Sequence, residues 1–584
     1  MTAPQVWGPR VWAPNAENVE LDLGTRRVQM SKRDDGWWTS AVELDHGDDY
    51  AFRIDGGESR ADPRALWLPY GVHAPSRSYD HRRFEWHDRD WRGAALAGSV
   101  IYELHIGTFT PGGTFDTAIE RLDHLVDLGV DVVEVLPVAS YDGPRGWGYD
   151  GVALYAVHEP YGGPDGFKRF VDACHQRQLG VVLDVVYNHV GPVGNYLGEF
   201  GPYFNQHYST PWGPAINYSG RGSDEVRRWA IDNALMWLRD FHVDGLRLDA
   251  VHAIIDTRAT HLLEEMSRDV ETLAAQTNRP LFLIAESDLN DPRLVTAPEA
   301  GGYGLTAQWA DDPHHALHAL LTGERNGYYC DFGTIATLAN AQESPYHHAG
   351  TWSAFRGRTH GRPLDRDRVP ASRFVTYLHN HDQVGNRAVG DRLSSYVSPG
   401  RLRIGAALTL CSPYVPMLFM GEEWGATTPW QFFTSFTDPS IAAKVKSGRQ
   451  HEFGAHGWGD ADVPDPQDVA TFERSILDWA EAEKDEHSDL LDWHRRLIAL
   501  RKARPELSDP WLPNVRTAYD EERRWLVVNR GHGRLAIAVN LAGQPQDVPL
   551  GGDVDEILLA SADVRSAGDR LAMPPESVAV VTLR

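Results

Sequence analysis

The sequence contains little cysteine, no long apolar run and no excess of basic residues. Its three cysteines, in a chain of 584 residues, are widely spaced and form no metal-ligand pattern, so we expect neither a disulfide framework nor a zinc site. No run of about twenty apolar residues, the length needed to span a bilayer, occurs in the chain. The first residues also lack the basic and apolar regions of a secretory signal. These absences favour a cytoplasmic protein.

Acidic residues dominate the charge, because 82 Asp and Glu against 56 Lys and Arg give a formal net charge of −26. Nucleic acids and anionic membranes bind basic surfaces, so neither is expected as a partner. A neutral or small ligand fits better. Several of the 20 tryptophans lie in Gly-rich or polar segments, where an aromatic face could stack on a sugar ring; the alternative is that they fill large cores.

The hydrophobic pattern divides the chain into three parts. Residues 1–95 contain short alternating runs separated by Gly, Asp and Asn turns, which predict an immunoglobulin-like β-sandwich. Residues 96–508 alternate strand-like runs with amphipathic helical patterns. Residues 509–584 return to strand alternation and predict a second all-β domain.

Eight strand candidates lie in the central part. They are SVIYELHI, VVEVLPV, GVVLDVVYNH, VDGLRLDAV, LFLIAES, LTAQWAD, RFVTYLHNH and VPMLFMGEE. Apolar residues at helical spacing predict helices in segments 117–129, 167–180 and 225–241, with a glycine closing the first two. Eight strands in alternation with helices are typical of a TIM barrel. We therefore predict an α/β fold: a (β/α)₈ TIM barrel with an N-terminal β-sandwich and a C-terminal all-β domain.

Polar residues lie near the carboxyl ends of four of these strands, where buried parallel strands should be apolar. They are Asp184, Asn188 and His189, then Arg247, Asp249 and His252, then Glu286, and finally Asn380, His381 and Asp382. The carboxyl ends of barrel strands form the face on which TIM-barrel enzymes place their active sites. No phosphate-binding loop, dinucleotide fingerprint, cysteine nucleophile or suitably placed lysine accompanies them. The pattern favours carboxylate chemistry without a cofactor.

Paired carboxyl groups across a sugar-binding cleft carry out glycoside hydrolysis. Arg247 and Asp249 are two residues apart on a strand and share a face, so the arginine can favour the ionised carboxylate; an ordinary structural ion pair is the alternative. We interpret Asp249 as the nucleophile. Glu286 follows apolar residues and has no basic neighbour in sequence, so its pKa can rise enough for it to protonate the leaving oxygen.

The segments DVVYNH, GLRLDAVH, AES and HNHD, in this order, resemble the four signature regions of the α-amylase superfamily of retaining glycoside hydrolases and transglycosylases. The resemblance covers nearly the whole chain. It implies Asp249 as nucleophile, Glu286 as general acid/base and Asp382 as a third carboxylate that stabilises the oxocarbenium-like transition state. It also implies that His189, Arg247 and His381 line the reacting subsite, that Tyr149 stacks on the sugar ring, and that Asp184 and Asn188 serve as scaffold. The N-terminal sandwich resembles the carbohydrate-binding module that precedes the barrel in branching and debranching members.

Many members of this superfamily hold calcium near the asparagine that matches Asn188, with additional acids from the loop after the third strand. Here that loop, residues 190–217, offers one acid, Glu199. Calcium prefers about six to eight oxygen ligands. We therefore predict no metal.

Finer stretches, including YELHIGTFTPGGTF, HNHDQVGNRA and LFMGEEW, resemble the trehalose-releasing members of the superfamily. Such enzymes cleave the α-1,4 bond next to the terminal trehalose unit of maltooligosyl trehalose and release trehalose and a maltooligosaccharide. The resemblance implies maltooligosyl trehalose and related α-1,4-glucans as ligands, and a maltooligosyltrehalose synthase as the enzyme acting before this one. A glycogen branching or debranching enzyme and a non-catalytic glucan-binding protein remain alternatives.

Recognition of trehalose needs polar residues on the barrel's top face that the chemistry itself does not use. The candidates are His252, Asp312, His315, Gln383 and Asn386. The alternative is that these residues cap helices or hold loops. If they do not select trehalose, the loops around Trp212 and Trp424 are expected to do so.

Overall fold

The N-terminal domain consists of two antiparallel sheets. In this computed structural model, residues 8–454 and 463–584 are described. One sheet has three strands and the other has four, with a short additional strand paired to its third. The first sheet contains Arg10–Trp12, Trp37–Thr39 and Ser31–Lys32; the second contains Arg27–Gln29, Val19–Asp22, Asp49–Ile54 and Ser59–Arg60, with Ser76–Arg77 paired to Asp49–Ile54. Buried apolar side chains such as Val11, Trp38 and Phe52 pack against one another in the core.

Eight parallel strands close into a barrel, because the eighth pairs with the first in the register Met417 to Ile101. Every residue of the fourth and fifth strands is buried, as expected for strands covered on both faces. All eight predicted strands are confirmed. They are Ile101–Leu104, Val132–Val135, Gly180–Val185, Gly245–Leu248, Phe282–Ala285, Ala307–Trp309, Phe374–Tyr377 and Val415–Phe419.

Helices lie between the barrel strands and after the last of them. The longer ones are Gly163–Gln176, Ser223–Asp240, Leu262–Thr277, Asp311–Thr322, Ile335–Glu343, Pro399–Leu410, Pro439–Gly454 and Asp485–Ala503. The shorter ones are Ile106–Phe109, Phe115–Ile119, Leu122–Leu128, Leu197–Phe200, His381–Gly385, Val469–Arg474 and Pro505–Ser508. Three hairpins lie in the loops: Ala139–Ser140 with Ala153–Val157, Phe204–Thr210 with Gly213–Ile216, and Thr351–Ser353 with Arg358–His360.

The predicted helix over residues 117–129 is two helices. The first begins at a capping box in which Thr114 and Thr117 bond to each other's backbone, and the turn at Glu120 and Arg121 separates it from the second. Gly129 ends the second helix with φ +93°, as predicted from its position. The other predicted terminal glycine, Gly180, instead begins the third barrel strand.

The C-terminal domain is all-β, as predicted. A five-stranded sheet contains Arg516–Asp520, Trp525–Arg530, Leu535–Asn540, Ser577–Leu583 and Val554–Ala560, and a three-stranded sheet contains Gln546–Pro549, Arg570–Met573 and Arg565–Ala567. The predicted fold class is confirmed, whereas the boundaries proposed at residues 95 and 508 stay predictions. Among the described residues, no helix has the length and apolarity needed to cross a membrane.

Candidate active site

The polar residues predicted at the strand ends meet at the carboxyl end of the barrel. Arg247 lies in the fourth barrel strand, and Asp249 follows that strand directly. Glu286 follows the fifth strand, and Asp382 lies in the short helix after the seventh. Because parallel strands of a closed barrel end on the same face, side chains far apart in sequence become neighbours there.

Arg247 is the buried centre of the site. Its Nη1 donates to Oδ1 of Asp249 and to Oδ2 of Asp184, both at 2.8 Å, and its Nη2 lies 3.8 Å from Oε2 of Glu286. The guanidinium carbon lies 4.2 Å from the centre of the Trp309 ring. The predicted contact between Arg247 and Asp249 is therefore confirmed. One rigid guanidinium fixes two carboxylates and faces a third carboxyl group.

Asp249 is held at both carboxylate oxygens. Oδ1 accepts the bond from Arg247, and Oδ2 accepts a bond of 2.7 Å from the side-chain amide of Asn188. The same amide also donates to the main-chain oxygen of Asp249 at 2.9 Å. Asn188, expected from the resemblance to be scaffold, thus contacts the predicted nucleophile directly.

A backbone turn connects Asp249 to Glu286. Ala250 adopts a left-handed conformation, with φ +38° and ψ 50°, which is uncommon for a residue other than glycine. Its N–H donates to Oε2 of Glu286 at 2.6 Å. Residues held in such conformations cluster at functional sites, where the surrounding structure maintains them. The turn orients the Glu286 carboxyl relative to Asp249.

Glu286 has an environment that favours the protonated acid. Burial raises its pKa well above the ordinary value; Arg247 opposes the rise, and the carboxylates of Asp249, Asp382 and Asp311 add to it. A carboxyl group with a raised pKa can donate a proton near neutral pH. No basic residue adjoins Glu286 along the chain, but the fold places Arg247 close to it.

Asp382 is more exposed than Asp249 or Glu286, with 41% of its side chain accessible. It lies in the helix His381–Gly385, whose first turn is capped by Asn380. Oδ1 of Asn380 accepts from the N–H of Asp382 at 2.9 Å, and Oε1 of Gln383 accepts from the N–H of Asn380 at 2.9 Å. This capping box fixes the backbone that carries Asp382.

Tyr149 and His381 form one side of the site. The Tyr149 hydroxyl lies 2.6 Å from Oδ2 of Asp184 and 2.7 Å from Nε2 of His381. The two rings are stacked, with centroids 5.2 Å apart. His381 is buried, and one face of Tyr149 is covered by it. The stacking of Tyr149 on a sugar ring stays a prediction.

His189 lies beside Asn188, and the ring of an exposed tryptophan stacks on its imidazole. Its Nδ1 is 2.6 Å from Oδ1 of Asn188, and its Nε2 is 3.0 Å from the main-chain oxygen of Tyr149. Trp212 stacks on the imidazole at 5.1 Å between centroids, and 48% of Trp212 is exposed. Trp424, by contrast, is fully buried beside Trp479. The Trp424 ring thus packs in the core, and the expectation for the loops around Trp212 and Trp424 stays a prediction.

Two of the residues predicted to bind trehalose are inside the protein. Asp312 is buried, and its Oδ2 accepts bonds from the side chain of Asn290 and from the backbone N–H groups of His347 and His348. Burial would raise the pKa of Asp312, but the imidazole of His315, 3.7 Å away, and the hydrogen bonds from Asn290 and His348 lower it to about 2. His315 is buried too, and its ring packs against Tyr328, Tyr329 and Phe332. Both side chains hold neighbouring loops, and their role in trehalose recognition stays a prediction.

The other three candidates lie nearer the open cleft. Gln383 contributes Oε1 to the capping box, and its Nε2 lies 3.5 Å from Oδ1 of Asp311. His252 and Asn386 are exposed. Their role in sugar recognition stays a prediction.

The structure also brings three acids to the site that the sequence interpretation missed. Asp311 accepts a hydrogen bond from Tyr377, and its charge contributes to the raised pKa of Glu286. Asp288, two residues after Glu286, pairs with Arg356 at 2.7 Å. Glu103 contacts His381 from the first barrel strand. The rule that found Asp184 applies to Glu103 as well, since it is a charged residue in an apolar strand.

The described part of the chain contains no group of three or more His, Cys, Asp or Glu side chains arranged to hold a metal ion. Glu199, the acid of the loop after the third strand, instead accepts from Nε of Arg60 in the N-terminal domain at 3.0 Å and 3.1 Å.

Three family models match the chain. The alpha amylase catalytic domain matches residues 81–208 and 203–510. Carbohydrate-binding module 48, the isoamylase N-terminal domain, matches residues 3–70. A domain of unknown function, DUF3459, matches residues 510–580.

Curated relatives and a solved structure match almost the full length. The malto-oligosyltrehalose trehalohydrolase of Mycobacterium tuberculosis is 54% identical over 549 residues, which are 93% of this chain and 94% of the relative. The enzyme of the same name from Arthrobacter ramosus is 53% identical over 578 residues, 98% of this chain and 99% of the relative. A crystal structure of an alpha amylase from Salmonella typhimurium has a TM-score of 0.90 at 38% identity and covers 98% of this chain and 97% of its own. The chain therefore belongs to the malto-oligosyltrehalose trehalohydrolases, glycoside hydrolases of the α-amylase family.

Proposed function

We propose that the chain hydrolyses the α-1,4 bond next to the terminal trehalose unit of maltooligosyl trehalose, with retention of configuration. The observation that carries the proposal is the position of Arg247 between two carboxyl groups in different environments. It hydrogen-bonds Asp249 at 2.8 Å and lies 3.8 Å from Glu286, whose pKa is raised by burial. A fixed carboxylate beside a protonated acid is the pair that retaining hydrolysis requires.

In the first step, a carboxylate oxygen of Asp249 attacks the anomeric carbon of the sugar on the non-reducing side of the scissile bond. Glu286 gives its proton to the glycosidic oxygen as the bond breaks, and trehalose leaves. The maltooligosyl chain is then covalently bound to Asp249. Arg247 and Asn188 hold the two oxygens of Asp249 before attack, which reduces the entropy lost on reaching the transition state.

In the second step, Glu286 acts as the base. Its carboxylate takes a proton from water, and the resulting oxygen nucleophile attacks the anomeric carbon and displaces Asp249. Asp382, which is more open to the cleft, stabilises the positive charge that develops on the sugar in both steps. Two successive inversions release the maltooligosaccharide as the α-anomer.

We assign recognition of the reacting sugar to Tyr149, His189, Arg247 and His381. Asp184 and Asn188 support them through hydrogen bonds to Arg247 and Asp249. For the trehalose unit, the candidates that remain near the cleft are His252, Gln383, Asn386 and the exposed ring of Trp212. An indole face offers the apolar surface on which a pyranose ring can stack. The name shared by the relatives supports this substrate.

The proposed substrate requires a preceding reaction. A maltooligosaccharide ends in an α-1,4-linked reducing glucose, whereas maltooligosyl trehalose ends in an α,α-1,1-linked pair. An enzyme that converts the terminal α-1,4 linkage of the chain into an α,α-1,1 linkage must therefore act first. We propose that a maltooligosyltrehalose synthase supplies the substrate.

The proposal is tested by incubating the wild-type protein and Asp249→Asn separately with maltooligosyl trehalose and with plain maltooligosaccharide, followed by product analysis. We expect trehalose from the first substrate and at least a roughly 10³-fold loss of kcat in the variant, because the nucleophile is removed at nearly constant volume. Asp224→Asn, at an acid that is 84% exposed on an outer helix, serves as the matched control and should retain the wild-type rate.

Other products would point to the alternatives. Chains carrying new branches would indicate a branching enzyme, and release of debranched chains would indicate a debranching enzyme. Binding of glucan without turnover would indicate a non-catalytic protein. A wild-type rate in Asp249→Asn would show that the assigned nucleophile is wrong.

A further inference from the structure

Two buried glutamates lie side by side inside the barrel, below the reacting carboxyl groups, and the mechanism above uses neither. Glu103 of the first barrel strand and Glu134 of the second are partners in the strand register, and each is 1% exposed. Their contacts differ. Neither carboxylate oxygen of Glu134 has a hydrogen-bond partner among the described residues. Both oxygens of Glu103 contact His381.

Glu103 binds two different groups of His381. Its Oε1 lies 2.5 Å from Nδ1 of the imidazole, and its Oε2 accepts from the backbone N–H of His381 at 2.9 Å. The carboxylate therefore fixes both the ring and the backbone from which Asp382 follows. Bonds to the ring and the adjacent N–H together leave His381 little freedom to rotate.

The opposite side of the imidazole requires a second proton. Nε2 of His381 lies 2.7 Å from the hydroxyl oxygen of Tyr149 and 3.4 Å from Oδ1 of Asp382. The single hydroxyl proton of Tyr149 is directed to Oδ2 of Asp184 at 2.6 Å. The hydroxyl oxygen must then accept from His381, so Nε2 carries a proton. With Nδ1 donating to Glu103, both ring nitrogens are protonated.

We infer that Glu103 is a positioning residue that holds His381 as an imidazolium, so that Nε2–H is donated to Tyr149 and faces Asp382 in the reacting subsite. This inference rests on the function proposed above. The resulting chain of contacts runs from Glu103 through His381 and Tyr149 to Asp184, and Arg247 continues it to Asp249.

The charges around His381 are consistent with this state. Burial opposes the imidazolium, but the carboxylates of Asp382 and Glu103 outweigh it and raise the pKa of His381 to about 9. Two further acids, Asp184 and Glu134, lie near the imidazole. The basic groups near it are Arg247 and His105.

Two of these neighbours contribute little charge near neutral pH. Burial raises the pKa of Glu134 well above its usual value, which favours the neutral acid. Burial also lowers the pKa of His105, to about 3, so this imidazole is neutral. Glu103 is therefore the counter-charge for His381 that comes from below the site.

Removal of the Glu103 charge should change how the site responds to pH. In Glu103→Gln, a His381 without this partner loses its second proton at lower pH, and Nε2 becomes an acceptor. It then competes with Asp184 for the hydroxyl proton of Tyr149 and no longer donates toward Asp382. An opposite charge at hydrogen-bond distance shifts a pKa by about one to three units, so the change falls in the neutral range.

The experiment compares kcat and KM of wild type, Glu103→Gln and the matched control Glu134→Gln from about pH 5 to pH 9 with the proposed substrate. The ratio of the variant's kcat to the wild-type kcat cancels the titration of Glu286, which both enzymes share. For Glu103→Gln we expect a ratio near one at the acid end, falling about tenfold or more above neutral pH with little change in KM. The ratio for Glu134→Gln should stay flat.

A loss in Glu103→Gln that is independent of pH, or the same pH dependence in Glu134→Gln, would overturn the inference. If Glu103→Gln does not fold, the ¹⁵N signals of the His381 imidazole in the wild-type protein, assigned by comparison with His381→Gln, decide the question. We expect two protonated nitrogens at about pH 7.5, and a neutral ring there would contradict the inference. Absence of trehalose among the products that the wild-type protein forms from maltooligosyl trehalose would instead refute the proposed function.

Discussion

At the scale of single residues, Arg247 contacts both reacting carboxyl groups but affects them differently. A hydrogen bond from its guanidinium to Asp249 fixes one carboxylate oxygen of the nucleophile. Its distance of 3.8 Å to Glu286 is too long for a hydrogen bond, so burial dominates there and the neutral acid is favoured. One buried cation can thus support a nucleophile and leave a proton donor beside it.

The first residue-scale prediction concerns Glu286. Because its pKa is raised, the proton-donating form persists to higher pH than for an ordinary glutamate, and the first step is lost as pH rises through that pKa. Glu286→Gln should lower kcat/KM for maltooligosyl trehalose by about 10²- to 10⁴-fold. The kcat/KM of this variant for an aryl glycoside with a good leaving group should fall much less, because bond cleavage then needs no proton. The alkaline limb of the pH profile should vanish with the aryl substrate.

The matched control for that experiment is Glu299→Gln, at an exposed position, which should keep the wild-type profile. Equal losses on both substrates would contradict the acid role of Glu286. Persistence of the alkaline limb in Glu286→Gln would assign that limb to another group.

The sequence indicated which residues lie at the site better than it indicated which side chains contact one another in space. Arg247 and Asp249 are close in sequence, and strand geometry alone places them on one face. Asp311 and Asp312 are adjacent in a helix, and the sequence does not indicate which of them faces the cleft. The loop at His347 and His348 covers Asp312, and its backbone N–H groups donate hydrogen bonds to that carboxylate. Which of two adjacent acids faces the cleft depends on tertiary contacts, and a single sequence does not show them.

At the scale of elements, strand ends determine where the chemistry lies. All eight barrel strands were predicted because their apolar runs are long and distinct from the helical patterns. Helix boundaries were less predictable. Apolar residues keep helical spacing from residue 117 to 129, yet the helix is interrupted at Arg121. Hydrophobic periodicity reports which face is buried and does not reveal a local change in backbone angles.

The prediction at this scale concerns the helix that carries Asp382. Asn380→Ala removes the side chain that accepts from the N–H groups of Asp382 and Gln383. The free energy of unfolding should fall by about 0.5–2 kcal/mol, measured by denaturant titration. kcat should fall as well, because the helix end that places Asp382 loosens.

The matched control is Asp468→Ala, which removes the cap of the helix Val469–Arg474. That cap lies outside the set of strand ends that form the site, so the variant should lose stability without loss of kcat. An unchanged kcat in Asn380→Ala would show that the capping box does not position Asp382.

At the scale of the whole molecule, charged contacts attach the two all-β domains to the barrel. Arg64 of the N-terminal domain donates to Asp232 at 2.9 Å. Glu521 of the C-terminal domain accepts from the N–H groups of Ile335 and Ala336, at the beginning of a barrel helix. These partners lie more than a hundred residues apart in sequence. A single sequence indicates the domains but not which of their charged side chains meet.

The contact between Arg60 and Glu199 leads to the last prediction, which is that activity does not require a metal. The loop after the third barrel strand offers one acid, and Arg60 already binds that carboxylate from the N-terminal domain at 3.0 Å and 3.1 Å. Calcium would need about six to eight oxygens at that place. The rate on maltooligosyl trehalose should therefore be the same before and after treatment with EDTA.

The variant Glu199→Gln distinguishes two possible roles of Glu199, as a ligand of a metal ion or only as the partner of Arg60. If Glu199 only binds Arg60, the variant should resist EDTA as the wild type does, and the loss of this exposed pair should change stability by no more than about 1 kcal/mol. Arg60→Ala should resist EDTA as well, and its effect on stability should be at least as large, because it also removes the pair with Glu58 and the stacking on Tyr196. Loss of activity in EDTA that calcium restores in the wild type but not in Glu199→Gln would identify Glu199 as a ligand. It would also show that the loop is organised by an ion and not by the N-terminal domain.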